Sequence, residues 1–358
     1  MRICYITTGT FSHIGPYLEH FRDAGHDVHF ICLSPSPPRD VPTYNLGIGK
    51  TYSQTRGKWK YPISMIRAKR LINEIKPDII HAHYATSGGL AALLTGFHPA
   101  VLTVHGSDLI NGAKSVIWRP FLKKIFRYAD CINVVSQELE DIAVSFGINK
   151  EKIEVFSPGI DTNKFAFSEK PQFTRTSVLK LICTRRIESV FDHPTILNAL
   201  VILKEKGIQF RMTFAGDGSL LDEMKKYADN PGFGDSVNFL GRVPNDKLPE
   251  LLSQNDIYLS ASKWDGTSLS LLEAMACGLF PIVSDITSNS AWIKDGYNGF
   301  LHKVENSSDL ANCILRLYDS PDIIQKAAQY NRQKVCEKAD RNTNMKRLEL
   351  VYRRLTNK

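Results

Sequence analysis

Strand-length apolar runs alternate with helix-length amphipathic stretches along most of this chain, and that alternation leaves few folds open. Apolar runs at 2–7, 28–33, 79–82, 100–104 and 131–135 form a first series of strand–helix units. Parallel strands joined by helices are the expected product, with ligands gathered at the carboxyl ends of the strands. The stretch 157–163, SPGIDTN, breaks the pattern with a Pro-Gly turn. A second series then opens at 178–183 and continues through 211–215, 237–239, 257–260 and 280–284. A chain of 358 residues is too long for one ordinary core. Two α/β domains are therefore expected, 1–162 and 163–335, each burying its own sheet. From about 323 to 355 the chain reads as helical and charged, and 336–358 is set apart as a C-terminal helix. The sequence leaves the position of that helix open, with packing back on the first domain as one outcome.

Composition narrows the setting more than the chemistry. A formal charge of +8 and a pI near 9.0 suit an acidic partner, whether nucleic acid, anionic lipid or a phosphorylated ligand, and choose among none of them. No segment reaches the ~20 apolar residues that a membrane span needs, and the opening MRICYIT runs into a strand pattern without a signal-peptide profile. The expectation is a cytoplasmic protein. Seven scattered cysteines with no C-x-x-C pair read as reduced core residues, not as zinc ligands or a disulfide framework.

The run 264–285, WDGTSLSLLEAMACGLFPIVSD, combines a turn, a helix and a buried strand. Asp265, Gly266, Thr267 and Ser268 are turn and helix-cap types, so a helix from about Leu269 to Cys277 would aim its free N–H groups and positive dipole end at a ligand above the turn. Phosphate is a natural guest. Glu273 lies more than one turn inside that helix, too far to cap it and near enough to reach a hydroxyl-rich group held over its start. Gly278 ends the helix and a short strand follows. The same residues would equally serve a capped helix that only packs.

Several segments in order resemble one family. The stretch 260–268, SASKWDGTS, followed by LLEAMACGLFPIVSD, is similar to the C-terminal signature of the retaining glycosyltransferases of family GT4, also called group 1. The likeness extends to FAGDG at 214–218, FLGRV at 239–243, Val135-Ser136 with the later SPGIDTNKF, and PDIIHAHY followed by TVHGSDL. It covers nearly the whole chain. The resemblance implies a GT-B fold, two Rossmann-like βαβ domains facing a central cleft, the first on the acceptor side and the second binding a nucleotide sugar. It further implies a hexosyltransferase that moves a sugar from a UDP- or GDP-sugar to a glycan or lipid-linked glycan in cell-surface polysaccharide or glycolipid synthesis.

The residues match the family pattern with two departures. Arg185 and Arg186 stand where the family places an arginine on the donor pyrophosphate, a role that suits the bidentate guanidinium. The lysine usual five or six residues later is missing, its places being held by Phe191 and Asp192. Either Arg185 supplies the second charge, or helix amides carry more of it, or turnover is slower. The paired acidic motif is present as Asp265, seven residues, Glu273, with its first member one methylene shorter than the family's Glu. By resemblance Glu273 binds the ribose hydroxyls, Asp265 lies near the donor sugar, and the amides of Gly266 to Leu269 lie close to sugar and phosphate. The loops at Gly9 and at Arg242-Val243 complete the donor side. His105 resembles the histidine that hydrogen-bonds the transferred sugar, and His81, His83, Tyr84 and Asp108 are acceptor-side candidates, Asp108 pairing with a neighbouring loop or touching acceptor. The loop 9–15 is expected to let backbone approach diphosphate through Gly9. No protein base is needed if a phosphate oxygen takes the acceptor's proton. No D-x-D motif occurs, so no metal and no cofactor are expected, the nucleotide sugar being a substrate.

Basic residues concentrate in two places. Lys50, Arg56, Lys58, Lys60, Arg67, Lys69, Arg70 and Lys76 face the single acid Glu74, with Trp59, Tyr61, Met65 and Ile66 interleaved. Lys114, Arg119, Lys123, Lys124 and Arg127 accompany Trp118, Phe121 and Phe126. Such mixtures suit an anionic membrane surface, which would make the protein peripheral on the inner face of the cell membrane, and they equally suit amphipathic helices with solvated basic faces. Nucleic acid fits less well, since neither cluster sits in a recognition motif. A catalytically weak nucleotide-sugar-binding partner is the second functional reading, motivated by the absent lysine and by Asp265. A dinucleotide dehydrogenase ranks last for want of a G-x-G-x-x-G turn after the first strand.

Overall fold

The computed structural model describes residues 1–8, 11–33, 40–46, 61–169, 178–229 and 233–357. The chain divides into two compact units, the first comprising Met1–Pro158 with Asn342–Lys358 and the second Gly159–Arg341. These divisions replace the boundaries at 162/163 and 335/336 read from the sequence. The physical reason is a short backbone splice. Ile160 N–H donates to Ala339 O (2.9 Å), Arg341 N–H donates to Ile160 O (2.9 Å), and Thr162 Oγ1 donates to Asp340 Oδ2 (2.7 Å), tying 159–162 to the end of the second unit. Gly159 has φ +69° and a Cβ there would meet Ala339 O at 2.4 Å, so the splice needs glycine on both counts.

The first unit is a seven-stranded parallel sheet in the order β3-β2-β1-β4-β5-β6-β7: β1 (Arg2–Thr7), β2 (Asp27–Cys32), β3 (Thr43–Asn45), β4 (Ile79–His83), β5 (Ala100–Val104), β6 (Cys131–Val134) and β7 (Ile153–Val155). Both faces are covered, which is why the strands are apolar on both sides. Cys4, Ile6, Ile80, Ala82, Leu102 and Val104 meet helices α2 (Tyr61–Ile75), α3 (Leu90–Thr95), α5 (Trp118–Tyr128) and α6 (Gln137–Ser145). Ile3, Tyr5, Ile79 and Val101 meet α1 (Phe11–Asp23) and the last helix, α14 (Arg341–Thr356), through Met345, Leu348, Val351 and Tyr352. The loop expected at 9–15 is shorter, because α1 starts at Phe11 and takes in Gly15. Helix α4 (Ser107–Lys114) follows β5 directly.

The second unit is a six-stranded parallel sheet, β10-β9-β8-β11-β12-β13, with β8 (Leu179–Cys183), β9 (Phe210–Phe214), β10 (Val237–Phe239), β11 (Ile257–Ser260), β12 (Phe280–Ser284) and β13 (Phe300–His302). Helices α7 (His193–Glu205) and α12 (Ser307–Asp319) pack on one face, and the shorter α8 (Leu221–Ala228), α9 (Leu248–Ser253) and α11 (Thr287–Ser290) lie in the connections between strands. Helices α10 (Leu269–Ala276) and α13 (Ile323–Ala339) pack on the other. The strand order reverses between β8 and β11, and the corresponding reversal in the first unit lies between β1 and β4. A doubly wound sheet opens a ligand crevice at such a point, outside the carboxyl ends of the two strands. Cys4, Cys32, Cys131, Cys183, Cys277 and Cys313 are free and buried. Among the described residues no helix is long and apolar enough to cross a membrane.

Candidate active site

In the second unit the chain leaves β8 and turns at Arg185, beside the chain leaving β11 toward Asp265. Arg185 Nη2 donates to Asp265 Oδ2 at 2.6 Å and Arg185 Nη1 to Ser268 Oγ at 2.9 Å. The two side chains are only 10% and 17% exposed, so the pair is a partly desolvated ion pair, not a surface contact. Burial works against the guanidinium's charge, and Asp265, Tyr258 and Cys183 together more than offset it, leaving Arg185 above the usual arginine range. Phe191 stacks under the guanidinium, 4.1 Å from ring centre to Cζ, in one of the places where the sequence comparison sought a lysine. The position supplies a platform for Arg185 instead of a second charge.

Ser268 caps α10: its φ and ψ of −74° and 99° are extended, and its Oγ accepts from Leu271 N–H at 3.3 Å. Arg185 thus lies against the first turn of α10, where the helix dipole is positive. Asp265 Oδ1 accepts from Gly266 N–H (2.8 Å), which occupies one amide of the expected Gly266 to Leu269 set with a protein carboxylate. Asp265 is held on both oxygens.

The FAGDG segment forms the wall behind Arg185. A Cβ at Gly216 would meet Arg185 O at 2.1 Å, and one at Gly218 would meet Ile187 O at 2.1 Å. Both glycines are required by backbone approach, and the contact is sealed by Ile187 N–H to Asp217 O (2.8 Å) and Leu220 N–H to Ile187 O (3.1 Å). Arg186 takes the opposite course to Arg185. It is 65% exposed and its Nη2 donates to Glu188 Oε1 (3.0 Å), a carboxylate also held by Ser219. The two arginines read as a pair are therefore separated: Arg185 belongs to the cluster and Arg186 to the surface.

Glu273 sits inside α10 among buried neighbours and is itself buried. Burial pushes its carboxyl up to about 7, against the pull of Arg341, Lys164 and Arg185 and a hydrogen bond with Asn245. Lys164 Nζ donates to Asn245 Oδ1 at 2.6 Å. Sequence reasoning missed Lys164, Asn245 and Arg341 as neighbours of Glu273. Lys164 lay within the quoted SPGIDTNKF, but nothing in that string connects it to a glutamate more than a hundred residues away. Arg242 is exposed and Val243 half-buried on the same loop as Asn245, just past β10. Gly9 lies outside the described residues.

In the first unit, the end of β4 and the end of β5 gather a second polar group. His83 Nδ1 and His105 Nε2 are 2.9 Å apart, and the Tyr84 ring lies 4.6 Å from that of His105. Tyr84 has φ 65°, uncommon for a bulky residue, and opens a π-helical turn, Tyr84–Gly89. Asp108 ties the two strand ends together: Oδ2 accepts from Ala85 N–H (2.6 Å) and Oδ1 from Gly106 N–H (3.0 Å). Burial holds its carboxyl above the usual carboxylate range, and those amide bonds offset only part of the rise. Of the two roles open to Asp108, pairing with the neighbouring loop is the one its oxygens perform.

His81 corrects the acceptor-side set. It has no exposed surface, hydrogen-bonds Tyr352 through Nδ1 and sits 2.7 Å from Thr103 Oγ1 through Nε2. Thr103 in turn donates to Asn133 Oδ1 at 3.1 Å. Burial, with a smaller push from His105, lowers its ring to about 3, so it is neutral. His81 is a core residue covered by α14, whereas His105 and Tyr84 retain exposed surface at the strand ends.

Comparison with known proteins identifies the family and the fold. Residues 8–164 match the model of Glycosyltransferase Family 4 and residues 166–334 that of Glycosyl transferases group 1. The UDP-Gal:alpha-D-GlcNAc-diphosphoundecaprenol alpha-1,3-galactosyltransferase of Escherichia coli is 27% identical over 278 residues, 72% of this chain and 70% of that one. The N-acetyl-alpha-D-glucosaminyl L-malate synthase of Bacillus anthracis is 24% identical over 374 residues, 98% of this chain and 95% of that one. Among solved structures, Anabaena HepE in complex with UDP and glucose superposes with a TM-score of 0.79 over 98% of both chains at 16% identity, which speaks for the fold. With both units matched and the Arg185 cluster at the topological switch point, the chain belongs to the group 1, family 4 glycosyltransferases and has their GT-B fold.

Proposed function

We propose that this glycosyltransferase is a retaining, metal-independent hexosyltransferase that takes a sugar from a nucleotide-diphosphate sugar and delivers it to a glycan or lipid-linked glycan. The observation that carries the reading is Arg185, held at the end of β8 by Asp265 and Ser268 and backed by Phe191. A leaving diphosphate needs fixed positive charge as the glycosidic bond opens, and an oriented guanidinium at a helix start supplies it without a metal ion. Glu273 receives the ribose hydroxyls and Asp265 borders the donor sugar, while His105 hydrogen-bonds the transferred sugar. The bond from the anomeric carbon to the diphosphate oxygen breaks as the acceptor oxygen approaches on the same face. The acceptor's proton passes to a phosphate oxygen, so no protein base is consumed.

UDP-sugars are the first donors to try, since the galactosyltransferase relative is named for UDP-Gal and HepE was solved with UDP. That relative's diphosphoundecaprenol acceptor supports a lipid-linked acceptor, with cell-surface polysaccharide or glycolipid as the product class. The test is a panel of UDP- and GDP-sugars with and without chelator. Slow release of free sugar from one donor, unchanged by chelator, is expected. Activity lost with chelator and restored by Mn2+ would overturn metal independence. A second reading, a nucleotide-sugar-binding partner of low catalytic power, is motivated by Phe191 in the lysine's place and by the Arg185–Asp265 pair. Tight nucleotide binding without hydrolysis or transfer would select it.

A further inference from the structure

We propose that the face of the first unit built from α2, α3 and α5 docks on an anionic lipid bilayer, with the junction of α4 and α5 as its inserting tip. At that junction two consecutive apolar residues, Val116 and Ile117, are 86% and 74% exposed, and Phe121 on the first turns of α5 is 45% exposed. The Trp118 and Phe121 rings pack edge to face at 5.9 Å, a preformed aromatic wedge. The rest of α5 is occupied elsewhere: Leu122, Ile125 and Phe126 are buried in the core. The tip is therefore not a misplaced core face.

Charge completes the surface. Between residues 109 and 129 there is no acid, and Lys114, Lys123 and Lys124 are exposed and make no ion pair among the described residues. On the opposite side of the same sheet the cations of α14 are treated differently. Arg347 and Arg354 both reach Glu154, and Arg353 reaches Glu349. Three arginines of α14 are thus neutralised, while the three lysines beside the exposed apolar residues are not.

The fold also sets the described part of the first basic stretch, Arg67 to Lys76, on the same face as the second, while Lys50, Arg56, Lys58, Trp59 and Lys60 lie outside the described residues. Met65, Ala68, Ile72 and Ile75 of α2 enter the same core as Leu122 and Ile125 of α5, which puts both helices on one face of the sheet. Ile63 and Ile66 of α2 are exposed on it, next to Arg67 and Arg70. Position supplies a purpose. Helix α4 begins at the carboxyl end of β5, just past His105, and its eight residues span about 12 Å. The tip thus lies at the same end of the unit as His105 and Tyr84. Apolar residues ringed by unpaired lysines match the acyl boundary and phosphates of an anionic bilayer, and such a surface would bring a lipid-linked acceptor to the end of the sheet where it is needed. This deepens the lipid-linked acceptor reading and rests on it for its purpose, though not for its chemistry.

The experiment is flotation of the full chain with vesicles of phosphatidylcholine alone or mixed with phosphatidylglycerol, across a salt series. Two triple variants are compared: Lys114→Gln with Lys123→Gln and Lys124→Gln, and Val116→Ser with Ile117→Ser and Phe121→Ser. Binding to the mixed vesicles alone is expected, weakening as salt rises. A lysine near an anionic surface contributes about fivefold in affinity, so the lysine variant should lose on the order of 100-fold. The serine variant should lose the binding that survives high salt. Nucleotide binding and donor hydrolysis without vesicles should match the parent in both variants, which shows folding and keeps the outcome separate from that of the transfer reaction. No binding at low salt, or equal binding by parent and both variants, overturns the proposal. So does a dimer in sedimentation velocity that the serine variant dissociates, since a second copy would then be the partner.

Discussion

Replacing Glu273 by Gln should make the protein more stable at alkaline pH while weakening nucleotide binding. Burial lifts the Glu273 carboxyl from 4.5 to about 7 in the folded chain, despite Arg341, Lys164 and Arg185. A folded pKa above the unfolded one means that the folded state binds the proton more tightly. The stability this contributes is fully present below the unfolded pKa and is lost as pH rises through about 7. At 1.36 kcal/mol per pH unit, the ionised carboxylate costs the fold ~3 kcal/mol above neutrality. Gln cannot ionise, so Glu273→Gln should match the parent below about pH 4, under the unfolded pKa. It should then gain with pH and level off at ~3 kcal/mol near pH 8. Urea denaturation at half-unit pH intervals, read as the midpoint difference multiplied by a common slope, measures this directly. Nucleotide affinity of the same variant should fall, because the ribose hydroxyls lose a charged acceptor. A variant no more stable than its parent at pH 8, or a difference that does not grow with pH, would refute the reasoning.

Two further perturbations follow from the geometry. Arg185→Ala should lower donor affinity by ten- to a hundredfold, the range of about 1.5–3 kcal/mol for hydrogen bonds to a charged group, while Arg186→Ala stays within about twofold; equal losses in titration calorimetry would undo their separation. Tyr352→Phe leaves His81 without its α14 partner and should cost about 1–3 kcal/mol of stability, with nucleotide binding by the second unit unchanged; a variant as stable as the parent in denaturation would show that the hydroxyl contributes nothing.

Several parts of the site could be read from the chain alone because they depend on local spacing. The turn, the Ser268 cap and the interval from Asp265 to Glu273 are set by one helix, whose pitch is a property of the backbone. The glycines of FAGDG were legible as a motif. Their reason was not, since the obstacles are the carbonyl oxygens of Arg185 and Ile187 on another segment. Arg185 and Arg186 are alike in sequence and differ in the structure because Asp265 and Ser268, on a distant segment, receive the first while Glu188 takes the second. The three-residue strands β3, β7 and β13 did not stand out from their surroundings, although β10, equally short, did.

Two parallel α/β sheets, the helix that begins after Asp265, and the set of residues from which a donor site could be drawn were legible in the order of amino acids alone. These follow from periodicity and spacing, which act over a few residues. Which of those residues meet was set by the folded chain. It placed Phe191 under Arg185 where a lysine was sought, and it brought Lys164 and Arg341 toward Glu273. It covered His81 with a tyrosine 271 positions away while leaving His105 at the strand end. Burial and electrostatics depend on what the folded chain sets beside a group, and those neighbours come from distant segments that no local pattern records.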